Sequence, residues 1–393
     1  MRAPLLTVFR KEVVDNLRDR RTLYSALLFG PLFGPLLFAG LISFMLSETV
    51  AELDEPLELP VLGAEQAPNL IAYLKANGTD ILQAANDRAG VEAAIKAGEH
   101  AVALIIPEGF AAAWNAGAPA AIALVSDSSS SRAAKDVVRA GALLETYSTQ
   151  VGLLRLQARG VDWTTVKPLA LQNVDVSTPA GRSVLVLGMM TYFVLFAMLM
   201  GGMYLAIDTT AGERERGSLE PLLTLPATRA TLIVGKILAT CFYMAFSLAL
   251  TLFAFAVSLR FVPLKELGMV ANFGPAVAVG AFFVLLPFVP LGAALMTVVA
   301  SFTKSYKEAQ TWLSVVLLVP TLPIIVAAVF TLKPSLALMA VPSLSQHLLV
   351  TDLIKNEPID PLWFAVSATS TLLLGAALGW LAARLYRREG ILG

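Results

Sequence analysis

Asn272 to Phe302 reads NFGPAVAVGAFFVLLPFVPLGAALMTVVASF, 31 residues without one charged side chain. A bilayer core takes about 20 apolar residues per helix, and a soluble core needs no uncharged run of this length. Five other runs reach spanning length: Leu23 to Leu46, Ser183 to Ile207, Ile237 to Leu259, Thr311 to Leu332 and Pro361 to Ala383. In lipid each backbone N–H and C=O must be paired within its own segment, so all six are predicted to be helices. They explain a composition of 56% hydrophobic and 15% charged residues, where soluble domains carry about 25% charged.

Charge is distributed unevenly around these runs. Residues 47–180 hold 16 acidic and 9 basic side chains, a net of −7, and the rest of the chain nets +7. No basic patch of the kind that grips nucleic acid is present. With the N-terminus in the cytoplasm, the inner segments 1–22, 208–230, 301–310 and 384–393 carry 14 Lys and Arg, and the short outer loops 260–271 and 333–360 carry 4. The positive-inside rule then predicts that both termini are cytoplasmic and that residues 47–181 form an extracytoplasmic domain. The first apolar run exceeds the roughly 7–15 residues of a secretory signal, so 23–46 is read as a retained first span and 182–393 as spans two to six.

Residues 1–22 are predicted to form an amphipathic helix in the membrane interface, with Leu5, Leu6, Phe9, Val13 and Leu17 on one stripe. The 47–181 domain reads as mixed α/β. Leu57–Leu62, Ala101–Ile106 and Ile122–Val125 are strand-like, Val91–Ala97 and Phe110–Trp114 are helical, and Asn77-Gly78 is a turn. The serines at 128–131 read as a linker with a helix N-cap. A helix from about Ala133 to Arg159 follows, striped by Val137, Leu144, Tyr147, Val151 and Leu154. Its length, roughly 40 Å at 1.5 Å per residue, leaves part of the stripe for a partner chain. Cys241 stands alone, so no disulfide forms within one chain.

The segment between the second and third runs is the most specific. Glu213-Arg214-Glu215-Arg216 alternates acid and base, Gly217 breaks it, and Ser218-Leu219-Glu220-Pro221 restarts it. Ser218 is placed to cap a short helix, and Pro221 is tolerated in that helix's first turn. Leu219, Leu222 and Leu223 would form one apolar face, ended by Pro226. Such a helix fits a groove on a cytoplasmic partner.

This pattern, from Glu213 through Pro221 to Arg229 and Gly235-Lys236, resembles the hallmark of the ABC type-2 transporter permeases, in particular their NatB-like, sodium-extrusion-type branch. The six-span layout with an interfacial N-terminal helix and an outer insertion after span one is similar to that branch. So are the stretches Gly90-Val91-Glu92 and Ile106-Pro107-Glu108-Gly109-Phe110, and the basic tail from Arg384 to Glu389. The resemblance implies a permease in a bacterial inner membrane. Two such chains, most simply a homodimer, would each dock one ABC ATPase subunit, making two ATPase copies. Glu213 to Pro221 would be the coupling segment, and ATP with Mg2+ would be bound by the ATPase. Export of Na+ is the cargo this branch implies. A drug, peptide or lipid is the alternative cargo, and a non-transporting sensor or assembly protein is the alternative class.

The chain itself offers no site for hydrolysis. A phosphate-cradling loop needs Gly, four residues, then Gly-Lys-Ser/Thr. Here Gly235-Lys236 is followed by Ile237 and preceded by Ala230 where the first Gly should stand. Lys236 is expected to snorkel to the headgroups, and Asp208 to stand alone at a span end. His100 and His347 are too few for a His-rich metal site. Five residues are candidates for a gate or pathway. Pro287 and Pro290 interrupt the fourth run, Pro320 and Pro323 the fifth, and His347 lies in the half-apolar stretch 334–353, read as a re-entrant hairpin.

Overall fold

The computed structural model describes residues 2–19, 24–54, 56–127, 131–162, 164, 177–223, 227–267, 269–270, 272–330, 332 and 334–386. Serines 128–130, Pro226 and the tail beyond 386 lie outside the described residues. The chain divides into two compact units, residues 48–175 and residues 1–47 with 176–393.

The larger unit is helical. Four described helices are long and apolar enough to cross a membrane: Met190–Glu215, Arg229–Phe261, Tyr306–Ala327 and Pro361–Leu385. Pro275–Leu285 and Phe288–Phe302 make a fifth if the pair, bent by 46°, is one span. The bend sits at Leu286-Pro287, where proline removes a ladder donor. The first predicted run appears as a π-turn, Tyr24–Phe29, followed by the helix Gly30–Asp54, whose apolar part is Gly30–Met45.

The helices meet closely where side chains are small. A Cβ on Gly201 would stand 2.4 Å from Ser247, and one on Gly202 would stand 2.5 Å from Met244. Helices in lipid gain little hydrophobic drive against one another, so close backbone packing of this kind holds them. The core between them is filled by Met190, Met198, Met203, Leu199, Met244 and Phe255. Met190, Met198 and Met203 are therefore packing residues, whereas Met189 is exposed.

The N-terminal helix, Arg2–Arg18, lies against the 229–258 helix. Its contact face differs from the expected stripe. Val8 meets Gly235, Val13 accepts a hydrogen bond from Tyr243 at 3.0 Å, and Glu12 and Asn16 are buried, while Leu6 and Leu17 are exposed. Phe9 and Val13 of the stripe do pack on this face, which also buries Glu12 and Asn16, whose partners, Lys11 and the Glu12 carbonyl, lie on the same helix.

The 48–175 unit is a four-stranded sheet in the order β2-β1-β3-β4, with β1 Leu57–Leu62, β2 Thr79–Gln83, β3 Val102–Ile105 and β4 Ala123–Ser126. β1 runs parallel to β2 and β3, and β4 is antiparallel to β3. The parallel pairs need crossovers, supplied by helices Pro68–Ala76 and Arg88–Lys96. The long helix, Ser131–Ala158, turns Val137, Leu144 and Tyr147 onto this unit's own sheet. Tyr147 stacks on Trp114 at 5.9 Å, and Arg155 lies 4.6 Å above the Trp114 ring. The stripe expected to reach a partner is thus largely used at home, with Leu154 left exposed.

Gly63 follows β1 with φ of 82°, and a Cβ there would fall 2.1 Å from the Ile106 carbonyl oxygen. Gly63→Ala is expected to destabilise this unit by about 1–3 kcal/mol. Thermal unfolding, followed by fluorescence in a chain whose other four tryptophans are replaced by Phe so that Trp114 alone reports, checks it.

Candidate functional site

Asp208–Gly212 continues the 190–207 helix as a π-turn. Such a turn widens the ladder and changes which carbonyls are spoken for. The Thr209 carbonyl accepts from Lys236 Nζ at 2.7 Å, and the same ammonium donates to Glu213 Oε2. The two charged side chains are 1% and 8% exposed. Lys236 therefore does not snorkel. Glu213 stands beyond the π-turn and supplies inside the protein the acceptor that headgroup water would have supplied outside. Sequence reading missed this pair because its members are 23 residues apart.

The next three charges end on different elements. Arg214 donates from Nη1 to the Thr303 carbonyl at 2.6 Å and from Nη2 to the Ser301 carbonyl at 3.0 Å. These carbonyls close the 288–302 helix, whose last turn lacks internal donors and favours a cation. Glu215 Oε2 accepts from the Tyr306 N–H at 2.6 Å. Tyr306 opens the 306–316 helix, whose first turn favours an anion. Arg216 Nη1 returns to Asp208 Oδ1 at 2.8 Å, so Asp208 is paired rather than alone. A string that reads as a solvated charged shoulder is thus a set of tethers to three neighbouring helices and to its own span.

Gly217 ends the string with φ of 67°. Its N–H donates to the Arg214 carbonyl and that of Ser218 to the Glu213 carbonyl, both at 3.0 Å. These are the two bonds of a Schellman helix end. The Ser218 hydroxyl also donates to the Glu213 carbonyl, at 3.2 Å. Ser218 therefore closes the first helix, a correction to its expected role as a side-chain cap for the second. The second helix, Leu219–Leu223, buries Leu219 to 2% exposure in the chain's own core. That removes Leu219 from the apolar face expected to meet a partner. Glu215, Arg216, Gly217, Ser218 and Pro221 remain exposed, and the Glu220 and Leu223 side chains lie outside the described residues.

The gate candidates sit apart from one another in the chain's elements. Pro287 sits in the 46° bend, and Pro290 lies in the first turn of the 288–302 helix. Pro320 lies within a 3-10 turn, Val319–Thr321, and Pro323 in the first turn of the helix after it, and the Thr321 hydroxyl donates to the Leu318 carbonyl at 2.7 Å. The same carbonyl also accepts from the Thr321 and Leu322 N–H groups at 3.1 Å, so it is satisfied locally. The 334–353 stretch holds two helices, Leu336–Met339 and Leu344–Lys355. His347 lies in the first turn of the second, buried, with Nδ1 unpartnered. Beside it Gln346 donates to Ser367 and Thr371 at 3.1 and 2.8 Å and accepts from the Ser343 N–H at 2.6 Å. This network ties the 344–355 helix to the last span. Its only trace in the sequence is the i, i+4 spacing of Ser367 and Thr371 in an apolar run.

Apolar helices packed through small residues, with charges gathered at one interhelical segment, are the build of a multi-pass membrane protein. The chain belongs to the ABC-2 family of transporter proteins, whose family model matches residues 26–384. It is similar to the ABC transporter permease protein NatB of Bacillus subtilis (strain 168), at 26% identity over 391 residues that cover 96% of each chain. As an ABC-2 permease it is a membrane component of an ABC transporter, in which an ATPase is the partner.

Breaking a buried ion pair from one side leaves a charge unpaired, at a cost of about 3–5 kcal/mol, whereas replacing both partners is near neutral. Glu213→Gln is therefore expected to lower the unfolding temperature sharply. Glu213→Leu combined with Lys236→Met should restore most of it. Thermal unfolding of these two variants and the wild-type chain in lipid nanodiscs measures the difference.

Proposed function

We propose that this chain is the six-span permease of an ATP-driven exporter, with both termini cytoplasmic and the 48–175 unit outside. It works as a homodimer in a bacterial inner membrane, and each chain docks one ATPase subunit at residues 213–221. ATP and Mg2+ are bound by that ATPase. The observation that carries the reading is the division of labour in this segment. Arg216, Gly217, Ser218 and Pro221 face out, Glu213 and Arg214 reach back to two helices, and the exposed Glu215 bonds to a third. ATP-driven movement of the docked partner pushes the exposed residues, and the tethers pass that displacement to the helix ends, opening the bundle alternately to the two sides.

Na+ is the cargo that the resemblance to the sodium-extrusion-type branch supports. A drug, peptide or lipid is the alternative within the same class. The stretch 334–353, with His347 and the Gln346 network, is the candidate outer gate, and the bends at Pro287 and Pro290 and at Pro320 and Pro323 are candidate hinges of the pathway. A sensor or assembly protein would need neither an ATPase nor the tethers, so a neighbouring gene for a P-loop ATPase separates the two classes.

Co-expression with that ATPase tests the docking surface. Arg216→Glu combined with Pro221→Ala is expected to lower co-purification of the ATPase at least tenfold without loss of the folded permease. Undiminished co-purification would remove residues 213–221 as the docking site.

A further inference from the structure

An apolar groove of about 900 Å³ opens on the side of the membrane unit. Leu6 and Phe9 of the N-terminal helix form one wall, and Phe242, Pro287, Phe364 and Leu372 continue it along three further helices. Every side chain that lines it is apolar. The groove runs past the bend of the 275–302 pair, with Leu286, Pro287 and Pro290 in its lining.

Water gains no hydrogen bonds in such a cleft and leaves it dry. In a bilayer the surrounding medium is hydrocarbon, and the volume lies in the range of small-molecule sites, about 300–1,000 Å³. One end of the groove adds a second chemistry. Leu6 is 65% exposed at the groove, and Arg10 lies one turn further along the same helix face. Arg10 is exposed and makes no hydrogen bond or ion pair among the described residues. Apolar groove and free guanidinium thus follow each other in the order of acyl chain and phosphate in a phospholipid.

We propose that the groove is a binding site for an acyl chain of an anionic phospholipid whose phosphate pairs with Arg10. The lipid is a resident ligand that fills the gap between the N-terminal helix and the bent span. This goes beyond the permease reading and is independent of the exported cargo. A guanidinium is suited to a phosphate because its planar fork matches two oxygens.

The test is lipid retention by the full chain, purified from vesicles of equal phosphatidylglycerol and phosphatidylcholine and counted by native mass spectrometry. The wild-type chain is expected to retain phosphatidylglycerol in preference. Arg10→Gln should cut that preference about fivefold, the contribution of one basic residue at an anionic surface, and Arg10→Lys should keep most of it. Ala368→Trp, which fills the groove, should release the retained lipid of either kind. If that variant does not fold, Leu372→Phe serves the same purpose with a smaller increment. Equal retention of the two lipids, or a preference untouched by Arg10→Gln, overturns the selection of an anionic lipid by Arg10. Retention unaffected by filling the groove overturns the acyl-chain site.

Discussion

Glu213 and Lys236 are opposite charges buried together where one membrane helix ends and the next begins. Neither could remain charged there alone, since an isolated ion in a low-dielectric surrounding costs several kcal/mol. Their pairing fixes the position of everything around them. It holds the π-turn at 208–212 open toward Lys236 through the Thr209 carbonyl, and it sets the direction in which Arg214, Glu215 and Arg216 project. Each of those then meets a helix terminus or a carboxylate that would otherwise lack a partner.

The arrangement gives the membrane unit two kinds of contact. Between the spans, glycines against Ser247 and Met244 allow close packing, with one directional bond from the Ser247 hydroxyl to the Ala197 carbonyl at 2.9 Å. At the 208–216 segment the contacts are charged and directional, so the attached helix ends are held in fixed relation to one another. A displacement applied there reaches several helices at once. The Gln346 network fastens the 344–355 helix to the last span in a similar way, with all of its amide hydrogen-bonding capacity spent.

Much of this was legible in the sequence, for identifiable reasons. Uncharged runs in lipid have a single backbone solution, so the apolar helices followed from length alone. The alternating charges at 213–216 stood out because an ordinary loop does not need them. The sequence did not show what the charges touch. Lys236 read as a snorkelling side chain because its partner lies 23 residues away, and Leu219 read as a docking face because helical periodicity says which residues share a side, not what covers it. β2 at Thr79–Gln83 went unread, since an edge strand with one buried residue, Thr79, carries little alternation. The Schellman end at Gly217 left its signal in the glycine, whereas the return of Ser218 to the Glu213 carbonyl is set by the turn and has no local code.

The central claim is that the 208–223 segment moves as one body with the ends of the helices it tethers. Spin labels on Ser218→Cys and Lys307→Cys, in a chain carrying Cys241→Ser and assembled with its ATPase, measure it directly through the distance between them without nucleotide and with ATP trapped. The account predicts an unchanged, narrow distance within the chain, while the Ser218 to Ser218 distance across the proposed homodimer shifts. A distance within the chain that shifts or broadens on trapping ATP would contradict it, because the segment would then be a loose plug rather than a rigid link.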